Sequence, residues 1–507
     1  MKTSWKPKPD MYINCRYVDV ADGIRGISVL LVLWFHFWQQ TWLMPSYPTP
    51  FLEFLGIREL TPVHIRWVGY LFVDMMVLLS AFCLSLPVAR CILLHEDTED
   101  AALFYKKRLA RIYPSYVFCV LVSFFVLLAE KSYPNASMAV RDLVSHLTFT
   151  NMFRIDTYVF SPINGALWTV ALEVQFYLLF PLLRQLFKKQ PVLTYLGLMG
   201  LGAAFIYGFA LRHTPVSMVV NQLPDFLPVF ANGMLGAFVY TLYCTHCKHK
   251  RLLSPLFLAV AIGAAVCIQQ LLVSCYSFRQ DKQQLWQLSY RIPLSFAFLT
   301  FLLASAFSPG WFRKIFSNRA MRFLGGISFN VYMWHQWIMV KLVRLTGFTN
   351  GGEVTLAGAK MQWLLTAEGL ELSLLAAVLT TYLIEKPMQK WIMNGGCKNH
   401  DLSVHPQRRM LQAHYLRPGG RQAPQRTVYR RLQRQPEGYL QAGGRYGRRS
   451  GDPHPQGQHL RHAGHFLCRS VCSGHRAGRK AAGVIRFKKA SVCRMPVRPD
   501  LSKRRSF

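Results

Sequence analysis

Ten apolar stretches, each near the ~20 residues a helix needs to cross a bilayer, alternate with shorter polar connections along this chain. They run over 26–43, 68–89, 112–129, 167–187, 192–211, 224–243, 254–275, 288–308, 321–340 and 362–383. The pattern predicts an all-α, polytopic integral membrane protein, a bundle of about ten transmembrane helices. A mostly polar segment, 1–25, precedes the first stretch. No small-residue cleavage site accompanies that stretch, so it is expected to be kept as a span rather than removed as a leader.

Composition refines this picture by splitting the chain. Hydrophobic residues make up 52% and charged residues 16% of the 507 positions, against a usual charged share of about 25%. The formal charge of +35 is uneven: residues 1–396 hold 34 Lys+Arg and 20 Asp+Glu, while 397–507 hold 25 and 4. The high pI therefore belongs largely to the tail and is no argument for nucleic-acid binding by the membrane domain. The expected organisation is a cytoplasmic N-terminal segment 1–25, a membrane domain 26–391, and a basic tail 397–507 rich in Arg, Gly, Pro, Gln and His. The tail reads either as a disordered extension or as an out-of-frame translation product, and no catalytic role is assigned to it. In the domain, basic residues gather on the N-terminal segment and in the loops after spans 2, 4, 6 and 8 (Arg90, Lys106 to Arg111, Lys188 and Lys189, Lys250 and Arg251, Arg313 to Arg322). The positive-inside rule then places both termini in the cytoplasm, with the plasma membrane as the expected location. Cysteines sit mostly in or beside apolar runs. Cys244-Thr-His-Cys247-Lys-His249 has zinc-like spacing, but no second ligand pair follows it at finger spacing, and no metal is expected.

Polar residues inside the spans carry the candidate chemistry. Arg25 and His36 are eleven positions apart, about three helical turns, so they share one face roughly 16 Å apart along the axis. Counting 1.5 Å per residue from each span's entrance puts Asp74, Glu173 and His335 near the depth of His36. Ionisable groups at mid-membrane are costly and usually line a polar cavity, so one shared chamber is expected. A lone histidine there also serves as an interhelical hydrogen-bonder, and mid-membrane His, Asp and Glu also serve proton relays, so a proton-coupled transporter is the alternative class. Outside span 3, Lys107, Arg108 and Arg111 share part of a helix turn; they read either as positive-inside anchors or as a clamp for a phosphate-rich ligand.

Six of these stretches, in order, resemble the acyltransferase 3 family of membrane proteins, which includes bacterial polysaccharide and peptidoglycan O-acetyltransferases. "DGIRGISVLLVLWFH" is similar to the family's D-G-x-R-G start with its Arg-to-His pair, at Arg25 and His36. "GYLFVDMMVLLSAF", "FYKKRLARIYPSY", "LWTVALEVQFYLLFPLL", "LGGISFNVYMWHQWI" and "YLIEKP" resemble the later blocks, so that the likeness covers about residues 17–391. Met75 and Met76 replace an aromatic pair, Ala81 a Gly, Lys107 an Arg, and Val174 a second acid. No segment resembles the extracytoplasmic esterase-like domain that some members carry. The resemblance implies transfer of a short acyl group, acetyl above all, from cytoplasmic acyl-CoA to a hydroxyl of a surface glycan or lipid-linked acceptor. In that expectation Lys107, Arg108 and Arg111 hold the CoA phosphates and Arg25 guards the channel entrance. His36 is general base or acyl carrier, Asp74 or Glu173 orients it, and His335 and Trp168 line the acceptor side.

Overall fold

The computed structural model describes residues 17–43, 47–48, 59–60, 68–213, 215–247, 250–278, 282–348 and 356–395. The expected basic tail, most of the N-terminal segment, and His249 of the Cys-His cluster lie outside these residues. Among them the chain is built of helices: α1 (Asp19–Thr41), α2 (Phe72–Leu94), α3 (Ala101–Ala129), the short α4 (Ala136–Leu147), α5 (Trp168–Lys189) and α6 (Pro191–Gly208). These are followed by α7 (Leu223–His246), α8 (Lys250–Ser277), α9 (Gln283–Phe307), the short α10 (Gly310–Ser317), α11 (Arg319–Thr346) and α12 (Leu356–Leu379). A π-helical turn, Thr380–Glu385, joins α12 to α13 (Lys386–Gly395). A two-residue antiparallel pair links 47–48 with 59–60.

All ten expected spans fall on helices. Among the described residues, nine helices are long and apolar enough to cross a membrane, and the helix that falls short is α11, expected as the ninth span. Its shortfall has a plain cause: Asn330, His335, Gln336, Lys341 and Arg344 punctuate its apolar residues. Helix ends follow capping chemistry. The side chains of Asp100, Asn135 and Asn318 accept from the backbone N–H three positions on, at 2.6, 2.8 and 2.9 Å. Gly347, at φ 62°, ends α11 in the left-handed conformation that glycine adopts without a Cβ penalty. Phe125, Leu178, Leu182 and Leu193 are each more than half exposed; in a spanning bundle this is the surface that hydrocarbon covers.

The packing of α1 on α11 sets the height of the site. A Cβ on Gly325 would stand 2.4 Å from the Asp22 carbonyl oxygen, and one on Gly23 would overlap the Phe316 backbone. Gly26 faces Leu324 and the Gly325 nitrogen. The two helices therefore meet backbone to backbone, as small residues allow in membranes. They run parallel, and ten residues beyond the Gly26–Gly325 contact stand His36 and His335, side by side. We expect Gly325→Val to force these helices apart at a cost of about 1–3 kcal/mol and to cut turnover by unmatching the histidines. A thermal melt of the detergent-purified variant, paired with its transfer rate, checks this.

Candidate active site

The two histidines form a pair with ring centroids 5.1 Å apart. His36 Nδ1 lies 3.0 Å from the Gln39 side-chain oxygen and His335 Nδ1 lies 2.7 Å from the Tyr332 carbonyl oxygen. Both oxygens can only accept, so each Nδ1 carries a proton, and in the neutral ring Nε2 is the basic nitrogen. His335 is fully buried and its Nε2 has no hydrogen-bond partner among the described residues. The result is two imidazoles side by side, each held through Nδ1, with Nε2 as the remaining ring nitrogen.

Toward the N-terminal end of α1 lies a cavity of about 200 Å³ lined by Arg25, Ser80, Arg108, Arg111, Glu173 and Tyr177, among others. Glu173 accepts from Ser80 Oγ at 2.6 Å and from Tyr177 Oη at 3.1 Å, two donors that fix the position of its carboxyl group. Arg25 lies 3.6 Å from Asp22 and donates to Cys83 Sγ at 3.4 Å. The Arg108 guanidinium lies over the rings of Phe104 and Tyr177, 5.5 and 6.0 Å from their centroids, and its Nε is buried without a hydrogen-bond partner among the described residues. Three guanidiniums against Glu173, with Asp22 behind Arg25, leave this cavity cationic, with planar donors of the kind that match phosphate oxygens. Met76, Glu173 and Phe329 also line a second, smaller cavity, which continues to Thr169 and Tyr332. The Tyr332 ring is 5.4 Å from that of His335. Shared walls thus join the two cavities, and Tyr332 links the second to His335.

The expected single chamber is only partly what the protein builds. Arg25, Glu173, Arg108 and Arg111 share one cavity, and His36 meets His335. Lys107 instead pairs with Glu99, off the cavity wall. Asp74 does not orient an imidazole: its Oδ2 accepts from Arg291 Nε at 3.0 Å, and Arg291 is also paired with Asp225. The group that holds His36 is Gln39, close to the end of α1. Trp168 packs its ring 6.0 Å from that of Phe226 in the core.

Sequence reasoning passed over Arg291 and Asp225 because each is one charge inside a long apolar run. All three members of the cluster are at most 1% exposed, the Arg291 Cζ lies 4.0 Å from the Phe226 ring centroid, and its Nη1 donates to the Val220 carbonyl at 2.6 Å. Mid-span charges need partners, so a search for the partner of Asp74 was the available signal. Glu385, in the π-turn, accepts from Asn330 of α11 at 2.6 Å. The closing Glu-Lys-Pro block is thereby fastened to the helix that carries His335, and π-turns of this kind recur at functional sites.

Comparison with known proteins shows the family. The acyltransferase 3 family model, described as an acyltransferase domain, matches residues 19–383. A protein named as an acetyltransferase in Acidianus two-tailed virus is 26% identical over 340 residues, covering 66% of this chain and 87% of its own length. The O-acetyltransferase OatA of Staphylococcus aureus strain NCTC 8325 is 25% identical over 391 residues, covering 74% of this chain and 58% of its own length. A protein named as an O-acetyltransferase in Staphylococcus aureus strain COL is 24% identical over 344 residues, 64% of this chain and 51% of the relative. The chain thus spans little more than half the length of these staphylococcal relatives. No solved structure matches it. The chain belongs to the acyltransferase 3 family, its acyltransferase domain being a multi-pass bundle of membrane-crossing helices.

Proposed function

We propose that the domain moves a short acyl group, acetyl above all, from an acyl-CoA to a hydroxyl of a surface glycan or lipid-linked acceptor, with both chain termini cytoplasmic in the plasma membrane. The observation that carries this reading is the cationic cavity, which shares walls with a second cavity whose Tyr332 packs against the histidine pair. The naming of relatives as O-acetyltransferases supports oxygen as the acceptor atom.

Arg108 and Arg111, with Arg25 at the entrance, bind the phosphates of the donor at the cavity mouth. The Nε2 of His36 takes the proton of the acceptor hydroxyl as its oxygen forms the ester bond with the acyl carbon. The carbon–sulfur bond breaks, and the imidazolium returns its proton to the departing thiolate, giving free CoA and the O-acyl product. Gln39 keeps the Nδ1 proton in place, so that Nε2 is the nitrogen that works. His335 stands where it can share the acceptor's hydrogen bond or relay the proton. Glu173 balances the arginines, and Tyr177 and Ser80 hold it still.

Replacing Arg108 by Gln removes a charge-assisted contact worth about 1.5–3 kcal/mol. Steady-state assays with labelled acetyl-CoA should then show the donor KM raised roughly tenfold or more with kcat little changed. An unchanged KM would leave Arg108 a membrane anchor and remove the donor site from this cavity.

A further inference from the structure

Beyond the histidine pair, at the opposite end of α11 from Arg25, lies a separate cavity of about 420 Å³ that the transfer chemistry above does not use. It is lined by Ser161, Asn164, Gln336, Trp337, Lys341 and Arg344, among others. It begins one residue past His335, at Gln336, whose side chain is also the nearest neighbour of Gly165. Its floor is a built structure. Asn164 is buried, donates to the Met333 carbonyl, and accepts from the Ala166 N–H at 3.1 Å. Ser161 donates to Asp142 at 2.9 Å, and that buried carboxylate also accepts from Tyr133 at 3.0 Å. The Trp337 indole Nε1 is buried yet has no hydrogen-bond partner among the described residues.

The charges at the rim do not cancel. Lys341 and Arg344 both pair with the single carboxylate of Glu130, Arg344 at 3.4 Å. Lys341 also lies over the Trp337 ring, 5.9 Å from its centroid. Two cations on one carboxylate leave a net positive charge at the rim, beside an aromatic face, with the Asp142 carboxyl set below in the floor. The hydrogen bond from Lys341, with the nearby charges of Lys341 and Arg344, holds the Glu130 carboxyl below the usual range, so the carboxylate stays ionised and the surplus stays at one.

Resting on the acyl-transfer reading above, we infer that this cavity is the acceptor subsite and selects an acidic sugar unit, its carboxylate or phosphate taken by Lys341 and Arg344. The amides of Asn164 and Gln336 and the Trp337 indole suit a hydroxylated ring: amides read hydroxyls in both senses, and an aromatic face covers a sugar's C–H face. Seated there, the sugar would have its anionic group at the rim and a hydroxyl toward the histidine pair, where His36 takes its proton. A lipid phosphate shares the anionic chemistry but uses neither the amides nor the indole.

The test is titration calorimetry on the full chain in phosphatidylcholine nanodiscs, with an oligogalacturonate tetrasaccharide as the acidic probe and maltotetraose as the neutral one. The acidic probe should bind more tightly. Lys341→Met should lower its affinity about tenfold, the scale of one charged hydrogen bond. Glu130→Gln should raise it, because both cations are then free, and maltotetraose binding should be the same in all three proteins. Opposite signs are a readout that a merely structural role cannot produce. Equal binding of the two probes, or both variants shifting acidic-probe affinity the same way, would overturn the inference. So would loss of the variants' effects in phosphatidylglycerol nanodiscs, which would assign the cations to lipid headgroups. CoA release by the same preparations is read separately. If it persists without the acidic preference, the subsite falls alone; if the preference holds without CoA release, the acyl-transfer reading falls and the anion site stands.

Discussion

Changing His36 to Ala removes acyl transfer while the protein stays in the membrane at its usual level. Positioned acid–base catalysis is worth about 10²–10⁴-fold, and here no second group is placed to take over intact. His335 is the nearest candidate, yet it is fully buried while His36 is only partly so, which leaves its Nε2 the less open of the two to an acceptor. The loss should therefore reach at least a hundredfold in kcat, with the donor KM nearly unchanged, because the arginines of the other cavity remain. Gln39→Ala should give a smaller fall, since it frees the tautomer without removing the base. Labelled acetyl-CoA turnover, normalised to protein in the membrane, measures both. Transfer at the original rate by His36→Ala would end the assignment.

The second large effect concerns stability and falls on a residue away from the reacting groups. Arg291→Met leaves Asp74 and Asp225 facing each other, both at most 1% exposed, with no cation between them. Breaking a buried ion pair by removing one partner costs about 3–5 kcal/mol, because an uncompensated charge is left behind. A thermal melt in detergent, followed by size exclusion, should show the variant unfolding or aggregating well below the parent. Asp225→Asn should be much milder, since it leaves one carboxylate for one guanidinium. Conversion of all three to apolar residues of similar size should recover much of the loss. An Arg291→Met protein as stable as the parent would mean that these charges do not hold α2, α7 and α9 together.

The sequence was most readable where chemistry and geometry repeat locally. Apolar run lengths placed every expected span on a helix, and the eleven-residue step from Arg25 to His36 put one in the wall of the arginine cavity and the other level with His335. The D-G-x-R-G start shows a further meaning in three dimensions. Gly23 and Gly26 are where α1 meets α10 and α11 at backbone distance, so these glycines set the register of the two histidines. What could not be read locally depends on pairing between distant segments. Counting depth places Asp74 in a layer but not around the bundle axis, and its partner Arg291 lies 217 residues away. The same limit hid the cavity at Lys341 and Arg344, because its floor comes from the 161–165 connection and its cationic rim is shared with Glu130 at the end of α3. Gln39 went unnoticed for a different reason: a neutral amide near a helix end carries no cost that calls for explanation.

The measurement closest to the central claim uses sealed vesicles of both orientations from cells producing the full chain, with labelled acetyl-CoA outside. Inside-out vesicles should release free CoA and carry label into an O-linked product, and right-side-out vesicles should do neither until they are permeabilised. Inside-out vesicles bearing the His36→Ala chain should remain silent. Equal transfer in both orientations, or transfer undiminished in the His36→Ala vesicles, would contradict a donor site at the arginine end served by the histidine pair.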